Sequence, residues 1–579
     1  MKNDDAQEVI DRNEVSLVDL TTSSAASRTI SNETRRNLND FHHSSPSLDP
    51  SAETRQQPPV DDPPVINDGE KKRAASTFVA ALLTAALSLA TFTIGLDNTI
   101  IATAIPNITS SFDSLGDVGW YGSAYLLTLM ALQPTFGKIY TYFDVKWTYL
   151  GALVIFEAGS VICAAAPSSP VFIVGRAVAG VGGAGLASGG NNIVALVVPI
   201  DKRATYLAFL TSTFGIAAVV GPLLGGVFTD RLTWRWCFWI NLPFGAVAFA
   251  AVALIFRIPR ERRHTTLTLR EKIGKLDLPS AFFFIPSIVC LLLALQWGGV
   301  DYPWSDSRVW GCLLGFVLIL ACFIGAQIYR GDEATIPPRI MKQRTIYTST
   351  AFIAFLFTGI YAHFYYLPFY FQVAQGTSAV DSGIRNLPYI IGFTLFAVGV
   401  GIAITTVGSY APFAWVGASI FTVGAGLLHT LRVDSGSGAW IGYQVLAGVG
   451  SGMAVQVPFI AVQCVVRQDE IPIGNALVGF FNSLGSGVSV SVAQNIFLNS
   501  LEKGLEGISG IDPAAVIRAG ATGVRLVTPP ELLPAVLEAY NEAIMTTFIW
   551  SIAAGGVALL CSLFIERRSV KGVDLQMTV

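Results

Sequence analysis

Beyond residue 75 the chain is a succession of apolar stretches of about twenty residues, separated by short polar links. Fourteen of them are long enough to cross ~30 Å of hydrocarbon at 1.5 Å per residue. The first six cover 77–104, 119–139, 148–166, 170–198, 204–229 and 238–258. Two follow at 277–297 and 308–329, and six more at 346–371, 384–405, 412–430, 439–463, 473–498 and 542–565. The link between the third and fourth is short, which predicts a tight hairpin. Residues 1–75 are rich in Ser, Thr, Asn, Asp and Pro and repeat no apolar face, so they read as a disordered tail. The pattern predicts an all-α integral membrane protein with fourteen transmembrane helices.

Charge sharpens this picture. Of 77 charged side chains in 579 residues, 23 lie in the first 75, leaving 54 for the other 504. Ordinary globular domains are roughly 25% charged, so most of this chain has too little polar surface to face water. Lys and Arg in the links also alternate. With a cytoplasmic N-terminus, 22 fall on the cytoplasmic side and seven on the other, which places both termini in the cytoplasm. A net charge of −3 excludes a nucleic-acid binder held by overall charge. The seven cysteines are scattered, without metal-ligand spacing or a disulfide framework. No phosphate-cradling loop, hydrolytic triad or zinc pattern occurs, so an enzyme, a cofactor, a bound metal and ATP-driven pumping all lack support.

The sequence also repeats. AGVGGAGLA at 179–187 recurs as AGVGSGMAV at 447–455, an offset of 268, and Asp201 falls on Asp469 at the same offset. Segment four therefore corresponds to segment twelve. That correspondence divides the chain into a six-helix bundle (77–258), a two-helix insert with basic cytoplasmic loops (259–345) and a second six-helix bundle (346–565). The second bundle includes an outer loop at 499–541, and a cytoplasmic tail follows at 566–579. Two parallel halves suit an alternating-access transporter with its substrate site between them near the bilayer midplane.

Five motifs in this order carry a family resemblance. LDNTIIATAIP (96–106), GKIYTYFDVKW (137–147), VGRAVAGVGGAG (174–185), AAVVGPLLGG (217–226) and WRWCFWINLP (234–243) resemble the signatures of the 14-helix drug:proton antiporters of the major facilitator superfamily. The resemblance extends from about 77 to 565 and is closest to fungal members that export toxins and secondary metabolites. It implies the major facilitator fold and a proton-coupled efflux transporter. Its expected partners are small amphiphilic molecules, protons and the lipid bilayer, most simply in the plasma membrane and alternatively in the vacuolar membrane. Siderophore or basic amino-acid carriers share the fold, and a non-transporting membrane sensor is the alternative from another class.

Ionisable residues inside the spans are costly and therefore informative. Asp97 and Arg176 stand at similar depth towards the outer side and can pair. An Asp beside Arg⁺ stays ionised, and losing that partner as the bundles rock favours proton uptake, which makes a coupling switch. The alternative is an interfacial acid with a structural arginine. Glu157, the deepest acid, is either protonated and structural or faces a cavity and selects cationic substrates, and it is the next candidate for proton coupling after Asp97 and Arg176. Gly221, Pro222, Gly225 and Gly226 match the helix-5 antiporter motif. The two glycines one turn apart permit close helix approach, and the proline predicts a kink at a rocking interface between bundles. Gly137, Asp144 and Lys146 match the loop motif, where a charged clasp between helices is expected. Thr141 stands where that motif usually has Asp. His363, in the run HFYYLPFYF, reads as a packing or proton-relaying histidine, and the run itself as packing or pocket lining. Trp234, Trp236 and Trp239 read as interfacial belt residues. Asn107 heads an N-glycosylation sequon on the predicted outer side, and Asn32 heads another in the tail.

Overall fold

The structure is a computed structural model that describes residues 68–114, 117–256, 268–299 and 302–571. The tail reading and Asn32 fall outside these residues, apart from the segment after residue 67. The first helix begins at Asp68, earlier than the apolar run itself.

The first bundle consists of α1 (Asp68–Phe112), α2 (Val118–Tyr142), α3 (Val145–Ala165), α4 (Ser169–Val197), α5 (Ile200–Arg231) and α6 (Asn241–Ile255). The insert is α7 (Leu278–Trp297) and α8 (Ser307–Arg330). The second bundle consists of α9 (Arg344–Val373), α10 (Leu387–Val407), α11 (Ala411–His429), α12 (Ser437–Val455), α13 (Val457–Gln463), α14 (Ile471–Glu506), α15 (Pro513–Val527) and α16 (Leu533–Leu563). Each of the fourteen predicted segments falls on helix, as hydrocarbon demands of a chain that must satisfy its own backbone. Thirteen helices among the described residues are long and apolar enough to cross a membrane. Of the fourteen segments, the 25-residue α2 is the one outside that set. The hairpin between α3 and α4 is as tight as expected, with residues 166–168 forming the link.

Two elements depart from expectation. The twelfth segment is broken into α12 and α13, because Pro458 has no N–H to continue the ladder. The predicted outer loop 499–541 is largely helical. The ends of α14 and α16 extend into it, and α15 lies between them. Val516 and Val524, two turns apart on α15, join Leu501, Leu505 and Val536 in an apolar cluster with Tyr366, Tyr370 and Phe371. The aromatic run of α9 is therefore largely consumed in packing.

The two bundles share one packing plan. α1 packs on α5 and α9 on α14; α2 and α3 both pack on α4, while α10 and α11 both pack on α12; α6 and α16 close the two sets. Glycine makes the resemblance atomic. A methyl on Gly180 would overlap the carbonyl of Tyr125, and one on Gly448 that of Tyr389. A methyl on Gly182 would overlap the backbone of Phe156, and one on Gly450 that of Phe421. Gly180 and Gly448, like Gly182 and Gly450, are 268 residues apart. The repeated motif thus serves the same function twice, bringing helices together where any side chain would hold them apart.

The halves meet along two seams, α5 with α10 and α2 with α14. Their polar ties lie towards the ends that the basic residues assign to the cytoplasm. Thr205 Oγ1 donates to the Gly401 carbonyl at 3.1 Å, Asn475 Nδ2 to Asn192 Oδ1 at 2.8 Å, and Gln456 Nε2 to the Leu207 carbonyl at 3.1 Å. The insert lies against the second seam. The rings of Phe284 on α7 and Phe480 on α14 are 5.2 Å apart.

Candidate functional site

A buried ion pair occupies the first bundle. Arg176 Nη1 on α4 donates to Asp97 Oδ2 on α1 at 2.6 Å, and both side chains are at most 1% exposed. Each ion is held further. Arg176 Nε donates to the Tyr121 carbonyl of α2 at 2.8 Å, and its guanidinium lies 4.7 Å from the centre of the Tyr125 ring. Asn241 Nδ2, at the start of α6, donates to Asp97 Oδ1 at 3.3 Å and to Ser160 Oγ of α3 at 3.1 Å. Five helices of one half thus join one network around the Asp97–Arg176 pair, with α4 and α6 bonding to the carboxylate of α1 directly and α2 and α3 holding their side chains. Two ions out of water are tolerable only with such close pairing and extra hydrogen bonds. Any change that separates them leaves Asp97 a choice between an unpaired charge and a proton. The second bundle has no matching charge at the position of Arg176. Gln444 takes that place, fully buried, and its Nε2 donates to the Arg385 carbonyl at 3.0 Å.

Glu157 does not approach this pair along the interface between halves. It is half-buried on the α3 face towards α6, where the missing side chain of Gly245 leaves room for its carboxyl group. Neither of its oxygens has a hydrogen-bond partner among the described residues. A seam within one half is a poor place to select a substrate from a cavity between halves, so the cavity reading is set aside.

The helix-5 glycines act within the half as well. Methyl groups on Gly221 and Gly225 would overlap Thr99 Oγ1 and Thr103 Oγ1 of α1, whereas one on Gly226 would meet nothing within 4 Å. The expected contact between bundles is instead made by the earlier part of α5, with Ala204 against Gly401 and Thr394 beside Gly215. Pro222 lies within α5, which runs unbroken from Ile200 to Arg231.

The loop motif is also redistributed. Asp144 caps α3, accepting from the Trp147 N–H at 3.2 Å, and Lys146 Nζ donates to the Ala253 carbonyl of α6 at 2.5 Å. Among the described residues the two make no ion pair, because their cap and cross-helix roles point them apart. Gly137 does serve the junction between halves. A methyl there would come within 2.7 Å of the Ala476 methyl and 3.2 Å of the Pro472 carbonyl on α14. The charged ties at this end come from the chain after the insert. Lys138 Nζ donates to the Glu333 carbonyl at 3.2 Å, and Arg339 pairs with Glu470 at the start of α14. The hydrogen bond to Glu470 holds the Arg339 guanidinium still further above its ordinary value. Asp277 anchors the same loop, accepting from the Thr335 N–H at 2.8 Å and pairing with Arg330 at 3.0 Å.

Other candidates take structural positions. His363 is fully buried among the rings of Tyr389, Phe421 and Phe548. Trp234 is not an interfacial belt residue. It packs against Phe112, Phe172 and Phe238, and its Nε1 donates to Ser111 Oγ at 3.1 Å. Asn107 is exposed, but it lies within α1, and its sequon partners Ile108 and Thr109 are buried. Sequence reasoning passed over Asn241 and Ser160. The available signal was a lone Asn in the apolar run beginning at Trp239.

Comparison with known proteins agrees with this architecture. Residues 87–490 match the Major Facilitator Superfamily. This chain belongs to that superfamily and is a multi-pass membrane transporter rather than an enzyme. It is 43% identical over 497 residues to a protein of Trichophyton rubrum named MFS-type efflux pump MFS1, covering 86% of this chain and 93% of the relative. It is 45% identical over 488 residues to efflux pump aunC of Aspergillus niger, covering 84% and 92%. Among solved structures, the proton:xylose symporter XylE matches with a TM-score of 0.54 at 14% identity, over 86% of this chain and 98% of that one. The human organic anion transporter MFSD10 matches with a TM-score of 0.53 at 14% identity, over 84% and 99%.

Proposed function

We propose that this protein exports small amphiphilic compounds, such as toxins or secondary metabolites, across the plasma membrane in exchange for protons. The relatives named as efflux pumps support export, and the buried Asp97–Arg176 pair carries the coupling. The polar ties between the halves lie towards their cytoplasmic ends, and the cycle is taken to begin with the outer side open. A proton from an acidic exterior then reaches Asp97 and releases it from Arg176. The neutral carboxyl group no longer opposes rearrangement to the inward state, where the proton leaves and a substrate enters between the halves. Arg176 holds the ionised form and so sets which state binds the proton.

The test is uphill export by Asp97→Asn in cells at matched surface expression. The variant mimics the protonated acid, so it should keep its fold and lose proton-driven transport while still exchanging substrate down its own gradient. Uphill export equal to that of the unaltered protein overturns the assignment.

A further inference from the structure

Three orphaned oxygens lie in the seam between α3 and α6. They are both oxygens of Glu157 and Oδ1 of Asn241, none with a hydrogen-bond partner among the described residues. The residues stand on neighbouring rungs. Asn241 and Gly245 are one turn apart on α6, facing Ser160 and Glu157, one turn apart on α3. Asn241 Nδ2 already bonds to Ser160 and to Asp97 Oδ1, while Gly245 receives the Glu157 carboxyl group.

A carboxylate with no donor, in a seam bordered by lipid-exposed residues such as Ile155 and Val247, is expensive when charged. The protonated form has a use here that the ionised form lacks. Its O–H is a donor, and the vacant acceptor one rung away is Asn241 Oδ1. An amide has an acceptor end and a donor end, and satisfying one orients the other.

We propose that Glu157 is a second proton-binding group of the transport cycle, and that Asn241 is the positioning residue through which it governs Asp97. This rests on the reading of Asp97 as the coupling acid. With Glu157 protonated, its O–H donates to Asn241 Oδ1, the amide N–H stays on Asp97, and Asp97 remains ionised beside Arg176. When water takes the proton from Glu157, the amide rotates and gives its N–H to the new carboxylate. Oδ1 then faces Asp97, which takes a proton from cavity water and donates its O–H to that oxygen. One proton leaves and one arrives, so the two acids share a single proton. The other titratable groups around them are Arg176 on α4, Tyr125 on α2, Cys163 on α3 and Cys237 in the turn before α6. Among these groups Arg176 is the cation, so exchange between the carboxyl groups changes no net charge in the bundle.

The test needs no substrate. Infrared spectra of the purified full-length protein, recorded across pH, resolve protonated carboxyl groups. The band lost in Glu157→Gln marks Glu157. Asp97→Asn should move the midpoint of that band by about one pH unit, as for coupled sites. In an Asn241→Leu background the same substitution should leave the midpoint where it was. Asn241→Ser provides the same comparison if the leucine variant fails to fold. An equal shift with and without Asn241 overturns the proposal, as does the absence of any protonated Glu157 band. The readout is independent of transport. If uphill export survives Asp97→Asn, the reading of Asp97 falls; if export is lost but the midpoint is indifferent to Asn241, this proposal alone falls.

Discussion

Replacing Arg176 by methionine keeps most of the volume and apolar stem of the side chain and removes its charge. Asp97 would then keep a single donor, Asn241 at 3.3 Å, in a site where it is fully buried. Attraction between unit charges 4 Å apart is about 4 kcal/mol at an effective dielectric constant near 20. Breaking a buried pair by removing one partner costs about 3–5 kcal/mol, because the remaining charge is stranded. The unfavourable part should vanish once both charges are gone. Arg176→Met alone should therefore melt well below the unaltered protein in detergent, and Asp97→Asn with Arg176→Met should recover most of the loss. The coupling energy of the cycle should be about 2–3 kcal/mol, at the upper end for residues in contact. Melting followed by size-exclusion fluorescence on all four proteins gives the comparison. If the two substitutions add without coupling, the pair is not a charged unit and the proposed switch has no basis.

Neighbouring glycines of the helix-5 motif should respond in opposite ways. Gly225→Ala forces α5 from Thr103 and should cost about 1–3 kcal/mol in the same melting assay, while Gly226→Ala should stay within about 0.5 kcal/mol. Arg339→Glu and Glu470→Arg should each loosen the cytoplasmic closure, so that a cysteine placed at Ala476 reacts faster with a thiol reagent applied from the cytoplasmic side. Combining the two should restore slow labelling, and fast labelling in the combined variant would show that the pair does not hold the seam. Val524→Asp, in the outer apolar cluster, should destabilise by about 1–3 kcal/mol for the unmatched polar group; a melting point equal to that of the unaltered protein would mean α15 is not docked.

Much of the fold was legible because lipid imposes one rule on every span: apolar, helical and about twenty residues long. The repeat was legible because Gly180 and Gly182, and their counterparts Gly448 and Gly450, tolerate no side chain. Direction around each helix was not legible. In water, polarity marks the outward face; in a bilayer lipid and core are equally apolar, so nothing in AAVVGPLLGG says that Gly221 and Gly225 face α1 rather than the opposite half. The two readings of Glu157 stayed open for the same reason. Asp97 and Arg176 could be matched by depth, since charge is rare there, but Asn241 is uncharged and lies 144 positions from Asp97. The helical nature of 499–541 was hidden by reading extramembrane polarity as loop, although Val516 and Val524 already had helical spacing.

The insert gives the two seams different neighbours. A methyl on Gly487 of α14 would touch both Met130 of α2 and Leu292 of α7, so that junction is roofed by protein. On the α5–α10 side Phe209, Ile216, Leu395 and Phe396 are exposed instead, and acyl chains are what they meet. Bilayer thickness, sterol content and chain order therefore act on the transporter mainly through one flank. The pump has a front and a back in the plane of the bilayer, although its helices follow a near two-fold plan.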